Sequence, residues 1–168
     1  MSGPSIRPFA VTDDEDVGYM TFRQAEIFES ESNFASEGWR RYITGEVDEF
    51  VGTFDAERDC AYILESDGVR KGCMAAKYRG NGEAQLRFLF VEPELRRTGI
   101  GNELFSMAVD FCRSKGYGRV YLWTVSHLKA ARRMYVRHGF VMTEACDNDE
   151  WGFHVVEERW DLDLRKGQ

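Results

Sequence analysis

The stretch that most restricts the fold runs from Leu86 to Phe140. It opens on an apolar run, Leu86-Arg87-Phe88-Leu89-Phe90-Val91, with the length and make-up of a buried strand. Glu92-Pro93 stops it, because proline offers a strand ladder no N–H. Arg96-Arg97-Thr98-Gly99-Ile100-Gly101 follows and leads directly into an amphipathic helix over residues 102–115. A second apolar strand covers residues 119–125. A second helix, about residues 127–138, carries Tyr135 and ends at Gly139-Phe140. To follow its helix, the second strand must run parallel to the first through a right-handed crossover. Strand, basic glycine turn, helix, strand, helix is a plan for holding a phosphate-bearing ligand against the edge of a sheet.

The glycine turn carries the chemistry. Gly99 and Gly101 free the backbone from the side-chain clashes that forbid tight or positive-φ turns. The amides from about Arg97 to Asn102 can then converge on one anion, aided by the positive end of the helix that starts there. Arg96 and Arg97 add formal charge, and Lys129, Arg132 and Arg133 on the next helix can add more. An ordinary turn with two solvated arginines would read the same from glycine spacing alone. No Gly-Lys-Ser/Thr is present, which disfavours a nucleotide triphosphatase loop. Tyr135 shares that ambiguity, since a tyrosine beside the Ala130, Ala131, Met134 and His138 face can simply rim a core.

The remaining elements follow from local signals. Ile6 to Ala10 reads as a first strand. Thr12-Asp13-Asp14-Glu15 has capping-box spacing, with the Thr12 hydroxyl as cap. Two helices follow, parted by a break from Asn33 to Gly38. The second places Trp39, Tyr42, Ile43, Val47, Phe50 and Phe54 at helical spacing. Strands over residues 60–65 and 71–78 flank the hairpin turn Ser66-Asp67-Gly68, and Arg79-Gly80-Asn81-Gly82 turns the chain back into the strand ending at Val91. Residues 140–142 and 159–164 close the chain as strands. The segment 146–157, with Asn148, Trp151 and His154, follows no pattern. It reads as a surface loop by default, and otherwise as a shaper of the acceptor site or of a dimer contact.

Composition removes several functions. With 168 residues the chain fits a single domain over residues 1–168, and 12 Phe, 7 Tyr and 4 Trp argue against disorder. A formal charge of −7 makes a poor general nucleic-acid binder and suits a cationic substrate better. Four cysteines without a C-x-x-C pair read as reduced thiols of a cytoplasmic protein. Three scattered histidines lack metal-ligand spacing, so no metal is expected. Neither a signal peptide nor a membrane span is apparent.

Taken together, Val91-Glu92-Pro93, Arg96-x-x-Gly99-x-Gly101, Trp123-Thr124 and Ala131-x-x-Met134-Tyr135-x-x-x-Gly139-Phe140 resemble the GNAT superfamily of acetyl-CoA-dependent N-acetyltransferases. The resemblance covers roughly residues 84 to 143. Within that superfamily the chain is most similar to the acetyltransferase half of bacterial fusions to a MarR-type winged helix, through Leu122-Trp123-Thr124 and Trp160-x-Leu162-Asp163-Leu164 among others. It implies an α/β (α+β) fold: a mixed, mostly antiparallel sheet of six to seven strands, splayed between strands 4 and 5, with about four helices on its faces. It also implies acetyl-CoA as cosubstrate. The pyrophosphate would rest on Arg96, Arg97, Thr98, Gly99, Ile100, Gly101 and Asn102, with Arg132 nearby. The pantetheine amides would pair with the Phe90 and Val91 backbone.

The implied reaction is direct attack of a primary amine on the thioester, with Tyr135 protonating the departing thiolate. The acceptor is a small-molecule or peptide amine, with no nucleic acid and no membrane involved. Glu31 is preferred as the base over Glu29 and Glu83, and a water chain remains open. Leu128 stands where many members carry an asparagine, which puts one pantetheine contact in doubt. Phe22, Phe28, Phe34 and Trp39 hint at an aromatic acceptor pocket. Oligomeric state is open, a homodimer included. A non-catalytic acetyl-CoA-binding regulatory module is the alternative, and an unrelated phosphoanion-binding domain is a third reading.

Overall fold

The computed structural model describes residues 3–166. Strand β1 (Ser5–Pro8) leads into helix α1 (Asp14–Gly18), a π-helical stretch (Tyr19–Arg23) and α2 (Gln24–Ser32). Next come α3 (Glu37–Gly52), then β2 (Cys60–Ser66), β3 (Val69–Gly80) and β4 (Glu83–Val91). A short 3-10 turn, Pro93–Leu95, precedes α4 (Ile100–Ser114), β5 (Arg119–Val125), α5 (Lys129–Arg137), β6 (Val141–Asn148) and β7 (Val155–Asp163). The seven strands form one sheet in the order β1-β2-β3-β4-β5-β7-β6. Only β4 and β5 are parallel; the other pairs are antiparallel. The expected mixed, mostly antiparallel sheet is therefore present with seven strands. No helix among the described residues is long and apolar enough to cross a membrane.

Both faces of the sheet are covered, which is why its central strands place apolar side chains on each face. On one face Met20, Val47 and Phe50 from the early helices pack on Ile63, Cys73 and Ala75. On the other, Leu104, Phe105, Ala108 and Cys112 of α4 pack on Leu64, Met74, Ala76 and Val120. The expected α4 stripe is thus the buried one. Gly116 ends that helix with φ +76°, as a C-terminal glycine does. The hairpin turns also follow from local chemistry: Asp67-Gly68 and Asn81-Gly82 all hold positive φ, the requirement of a two-residue type I′ turn.

Some local expectations change. The cap of α1 is Asp13, not Thr12: its carboxylate accepts from the Glu15 amide at 2.9 Å. Asp13 sits one residue nearer the helix, and its own amide already closes a turn on the Ala10 carbonyl at 3.0 Å. Gly38 lies inside α3 rather than in the break. A Cβ there would meet the Trp151 carbonyl at 2.8 Å, so glycine is used for close approach. The 146–157 segment is no surface loop. Its ends belong to β6 and β7, and Trp151 between them is buried against Trp39 and Tyr42.

Two ion-paired anchors hold the first helices to the sheet. Asp16 is fully buried and takes both terminal guanidinium nitrogens of Arg7 at 2.9 Å, Arg70 Nε at 2.7 Å and the Ala10 amide at 2.9 Å. Glu92, just past β4, takes Arg23 at 2.7 and 2.8 Å and the Tyr19 hydroxyl at 2.9 Å. Both of its partners come from the π-helical stretch, whose extra residue per turn rotates them toward the end of β4.

Candidate active site

β4 and β5 pair only through Glu83–Arg119, Ala84–Val120 and Gln85–Tyr121. Beyond that point they part, although β4 stays bonded to β3 as far as Val91. The parting coincides with a bulge. Ala75 faces Arg87 but Cys73 faces Phe90, so β4 carries one extra residue there. Phe88 absorbs it at φ +60°, a left-handed conformation that costs a residue of this size about 1–2 kcal/mol. The Cys73 thiol donates to the Phe88 carbonyl at 3.0 Å and helps hold the kink. The bulge also reverses the strand's phase: Leu86 belongs to the α4 face, whereas Phe88 and Phe90 belong to the opposite core.

The gap opens a cavity of about 980 Å³ that runs through the sheet. Phe34, Trp39 and Val125 line it from one core, and Phe105, Leu122 and Tyr135 from the other. Its mouth lies at the glycine turn. Arg97 and Gly99 hold φ +65° and +88°, which turns successive amides the same way. The first helical bond there is Glu103 to the Gly99 carbonyl, at 3.1 Å. Among the described residues, the amides of Arg97, Thr98, Gly99, Gly101 and Asn102 have no protein acceptor. Arg97, Arg133 and Arg137 line the same cavity and have no ion-pair partner among the described residues. Unused donors and unpaired cations together at a helix N-terminus are the groups that a multiply charged anion requires.

The other residues singled out in the sequence take varied positions. Arg96 lines the cavity, but its side chain is engaged: Nε donates to the Val91 carbonyl at 2.9 Å and Nη1 to Glu31 at 2.9 Å. Thr98 shapes the turn by donating to the Leu95 carbonyl at 2.6 Å, and Ile100 packs into the α4 core. Arg132 points away, paired with Glu158 at 3.1 Å, so its neighbours Arg133 and Arg137 supply the charge instead. The Glu92 amide donates to the Lys71 carbonyl at 2.8 Å. Strand alternation therefore turns the Val91 amide toward the gap and the Phe90 groups toward β3. Val91 lines the cavity, as Leu89 does, and Phe90 does not.

Tyr135 reaches the cavity from the α5 side, buried among Phe105, Phe140 and Trp160. Burial pushes its phenol up to about 12, partly offset by a hydrogen bond from Thr124. Glu31 is not part of the wall, being paired with Arg96; Glu29 pairs with Arg40, and Glu83 lies 3.6 Å from Arg159. Phe22 is 60% exposed and takes no part either. Among the described residues the cavity has one carboxylate, Glu157.

A family model settles the class. The Acetyltransferase (GNAT) family model matches residues 23–140. The chain belongs to the GNAT family. It is 35% identical over 113 residues to an uncharacterized N-acetyltransferase of Methanocaldococcus jannaschii, covering 64% of this chain and 47% of that protein. The probable N-acetyltransferase camello of Xenopus tropicalis is 31% identical over 87 residues, 51% of this chain and 40% of its own. The chain spans half or less of the curated relatives it matches. Solved structures share the fold. An acetyltransferase of the same family from Staphylococcus aureus has a TM-score of 0.79 at 14% identity, over 96% of this chain and 99% of that one. An acetyltransferase from Salmonella typhimurium, solved with its cofactor acetyl-CoA, has a TM-score of 0.73 at 17% identity, over 98% and 96%.

Two features of this GNAT chain escape sequence reading. Arg137 is one: it lies four residues after Arg133, which the sequence already suggested, on the same face of α5, and a helix seen alone does not show which face meets the glycine turn. Glu157 lies in a strand of alternating character, and its facing is set by its pairing with Val125.

Proposed function

We propose that this GNAT chain is an N-acetyltransferase that moves an acetyl group from acetyl-CoA to a primary amine by direct attack. The observation that carries the reading is the coincidence, at one open sheet edge, of unclaimed turn amides and the unpaired Arg97, Arg133 and Arg137. These groups fit a diphosphate. The adjoining gap suits an extended pantetheine arm, which would bond the Val91 backbone as an added strand does. The reading treats residues 1–168 as one catalytic domain in a reducing, cytoplasmic setting. The MarR-fusion likeness rests on its sequence motifs alone.

The chain's own groups then divide the work. A neutral amine nitrogen forms a bond to the thioester carbonyl carbon, and a gap-facing backbone N–H of β4 near Val91 stabilises the oxygen that gains charge. As the carbon–sulfur bond breaks, Tyr135 gives its proton to the sulfur. A phenol held at about 12 keeps that proton at neutral pH, as an acid must. The test has two stages. Acetyl-CoA should raise the melting temperature while ATP does not, and an amine panel should release free CoA. Stabilisation without CoA release from any amine would indicate the regulatory module instead; absence of stabilisation would remove the cofactor assignment.

A further inference from the structure

We infer that the acceptor is a monocationic amine on an aromatic or aliphatic body, seated against Glu157 in an aromatic chamber on the α3 side of the sheet; the inference rests on the acyl-transfer reading above. The end of the cavity away from the glycine turn is walled by Phe28, Phe34, Trp39, Tyr42 and Trp151. Their rings form one cluster, with Phe34 and Trp39 at 5.0 Å, Trp39 and Trp151 at 5.0 Å, and Tyr42 and Trp151 at 4.8 Å. The cluster is locked in place. Trp151 is held through its carbonyl, which accepts from the Ser36 hydroxyl and lies too close to Gly38 for any Cβ there.

Charge selects the occupant. Arg87, the one cation lining this chamber among the described residues, is already paired with Glu46 at 2.5 Å. Glu157 has no cationic partner among the described residues; its Oε2 accepts only from the Asn148 side-chain Nδ2, at 3.1 Å. Burial raises its pKa, the cost of leaving a carboxylate there without a counter-charge. A single ammonium group supplies that counter-charge and also meets ring faces that attract cations. With one unpaired carboxylate, the chamber offers nothing to the further charges of a polyamine.

Position supports a role beyond binding. Glu157 pairs with Val125 and lies two residues from Val155, both on the face packed by the early helices. Tyr135 belongs to the opposite face. Acid and carboxylate thus reach the gap from opposite sides, as required when a nucleophile enters one face of a thioester plane and the sulfur is protonated elsewhere. The ammonium N–H bond breaks as an O–H bond forms on Glu157. The freed lone pair then bonds the carbonyl carbon. Glu157 returns its proton to water, the second nitrogen proton passes to water after attack, and Tyr135, left as a phenolate by protonating the sulfur, recovers a proton from water.

The test uses binding of 2-phenylethylamine to the whole chain by calorimetry, without acetyl-CoA, so that it is independent of turnover. The wild type should bind 2-phenylethylammonium about tenfold or more tighter than 2-phenylethanol, the worth of one hydrogen bond to a charged group. Spermidine should show no advantage. Glu157→Gln should lose the preference and Glu157→Asp should recover part of it, with the acetyl-CoA-induced melting shift intact in both. Equal wild-type affinity for amine and alcohol, tighter spermidine binding, or an undiminished preference in Glu157→Gln would each overturn the inference. Absence of the acetyl-CoA shift in the wild type would instead overturn the acyl-transfer reading.

Discussion

Alanine at Gly101 and alanine at Gly99 should move stability in opposite directions, and only the comparison isolates the turn's role. Gly99 sits at φ +88°, where an alanine pays about 1–2 kcal/mol of backbone strain. A less flexible unfolded chain returns about 0.4–1 kcal/mol of that. The net is about 1 kcal/mol of destabilisation, or roughly 2–4 °C for a chain of this size. Gly101 lies in the first turn of α4 with ordinary helical φ, and an added Cβ meets only Val91 Cγ2 at 3.7 Å, an ordinary contact. Alanine there should therefore stabilise by about 0.5–1 kcal/mol. Yet Gly101 lines the cavity, and its methyl group would stand between the free amides and their guest. Losing one amide bond to a charged oxygen costs about 1.5–3 kcal/mol, a weakening of at least about tenfold. Thermal unfolding with and without acetyl-CoA measures both effects. At a ligand concentration 100 times the wild-type Kd the stabilisation is about 2.7 kcal/mol, and tenfold weaker binding cuts it to about 1.4 kcal/mol. A Gly101→Ala protein that melts higher and keeps the whole acetyl-CoA shift would refute the assignment of these amides to the diphosphate.

Four further outcomes follow from the geometry. Tyr135→Phe should lower kcat by about 10²- to 10⁴-fold with little change in acetyl-CoA affinity, and equal kcat in the two forms would remove the phenol from the proton-donor role. In the wild type, pH–rate profiles should show no alkaline loss from Tyr135 short of about 12, because the raised phenol stays protonated until then. Asp16→Asn should cost about 1.5–3 kcal/mol in denaturant unfolding, the worth of a hydrogen bond to a charged group, since Arg7 and Arg70 lose their buried partner and keep only the more exposed Glu65, Asp13 and Glu15. Those pairs hold the Asp16 carboxyl below its usual range, so their contribution is full above about pH 5 and fades as the pH falls through the lowered value. Gly38→Ala should raise the amine KM while sparing acetyl-CoA affinity, because its Cβ would displace the Trp151 backbone; an unchanged amine KM would show that this wall is not part of the acceptor site.

Much of this molecule is legible in its linear order, and the reason is that the information is local. Asp67-Gly68 and Asn81-Gly82 can each take the left-handed turn their hairpin needs, so β2, β3 and β4 follow as a meander from the residues alone. The α4 stripe of Leu104, Phe105, Ala108 and Cys112 has helical spacing, and one helix between neighbouring strands carries the chain back so that β5 runs parallel to β4. The glycine turn and the place of Tyr135 on α5 are likewise readable, because each depends on neighbours within a few residues.

What tertiary structure alone decided is which groups face one another across the gap. The period-two pattern of β4 runs on unbroken through Phe88, so it cannot report the bulge that moves Phe88 and Phe90 to the other core. Arg132 and Arg133 look interchangeable in order, yet the packed orientation of α5 gives one to Glu158 and the other to the cavity. Glu31 and Glu157 are both plain carboxylates in sequence. One meets Arg96, 65 residues away, and the other enters the aromatic chamber through its pairing with Val125. Such partners lie far apart along the chain, and no short-range preference of the backbone encodes a meeting that forms only when the sheet closes.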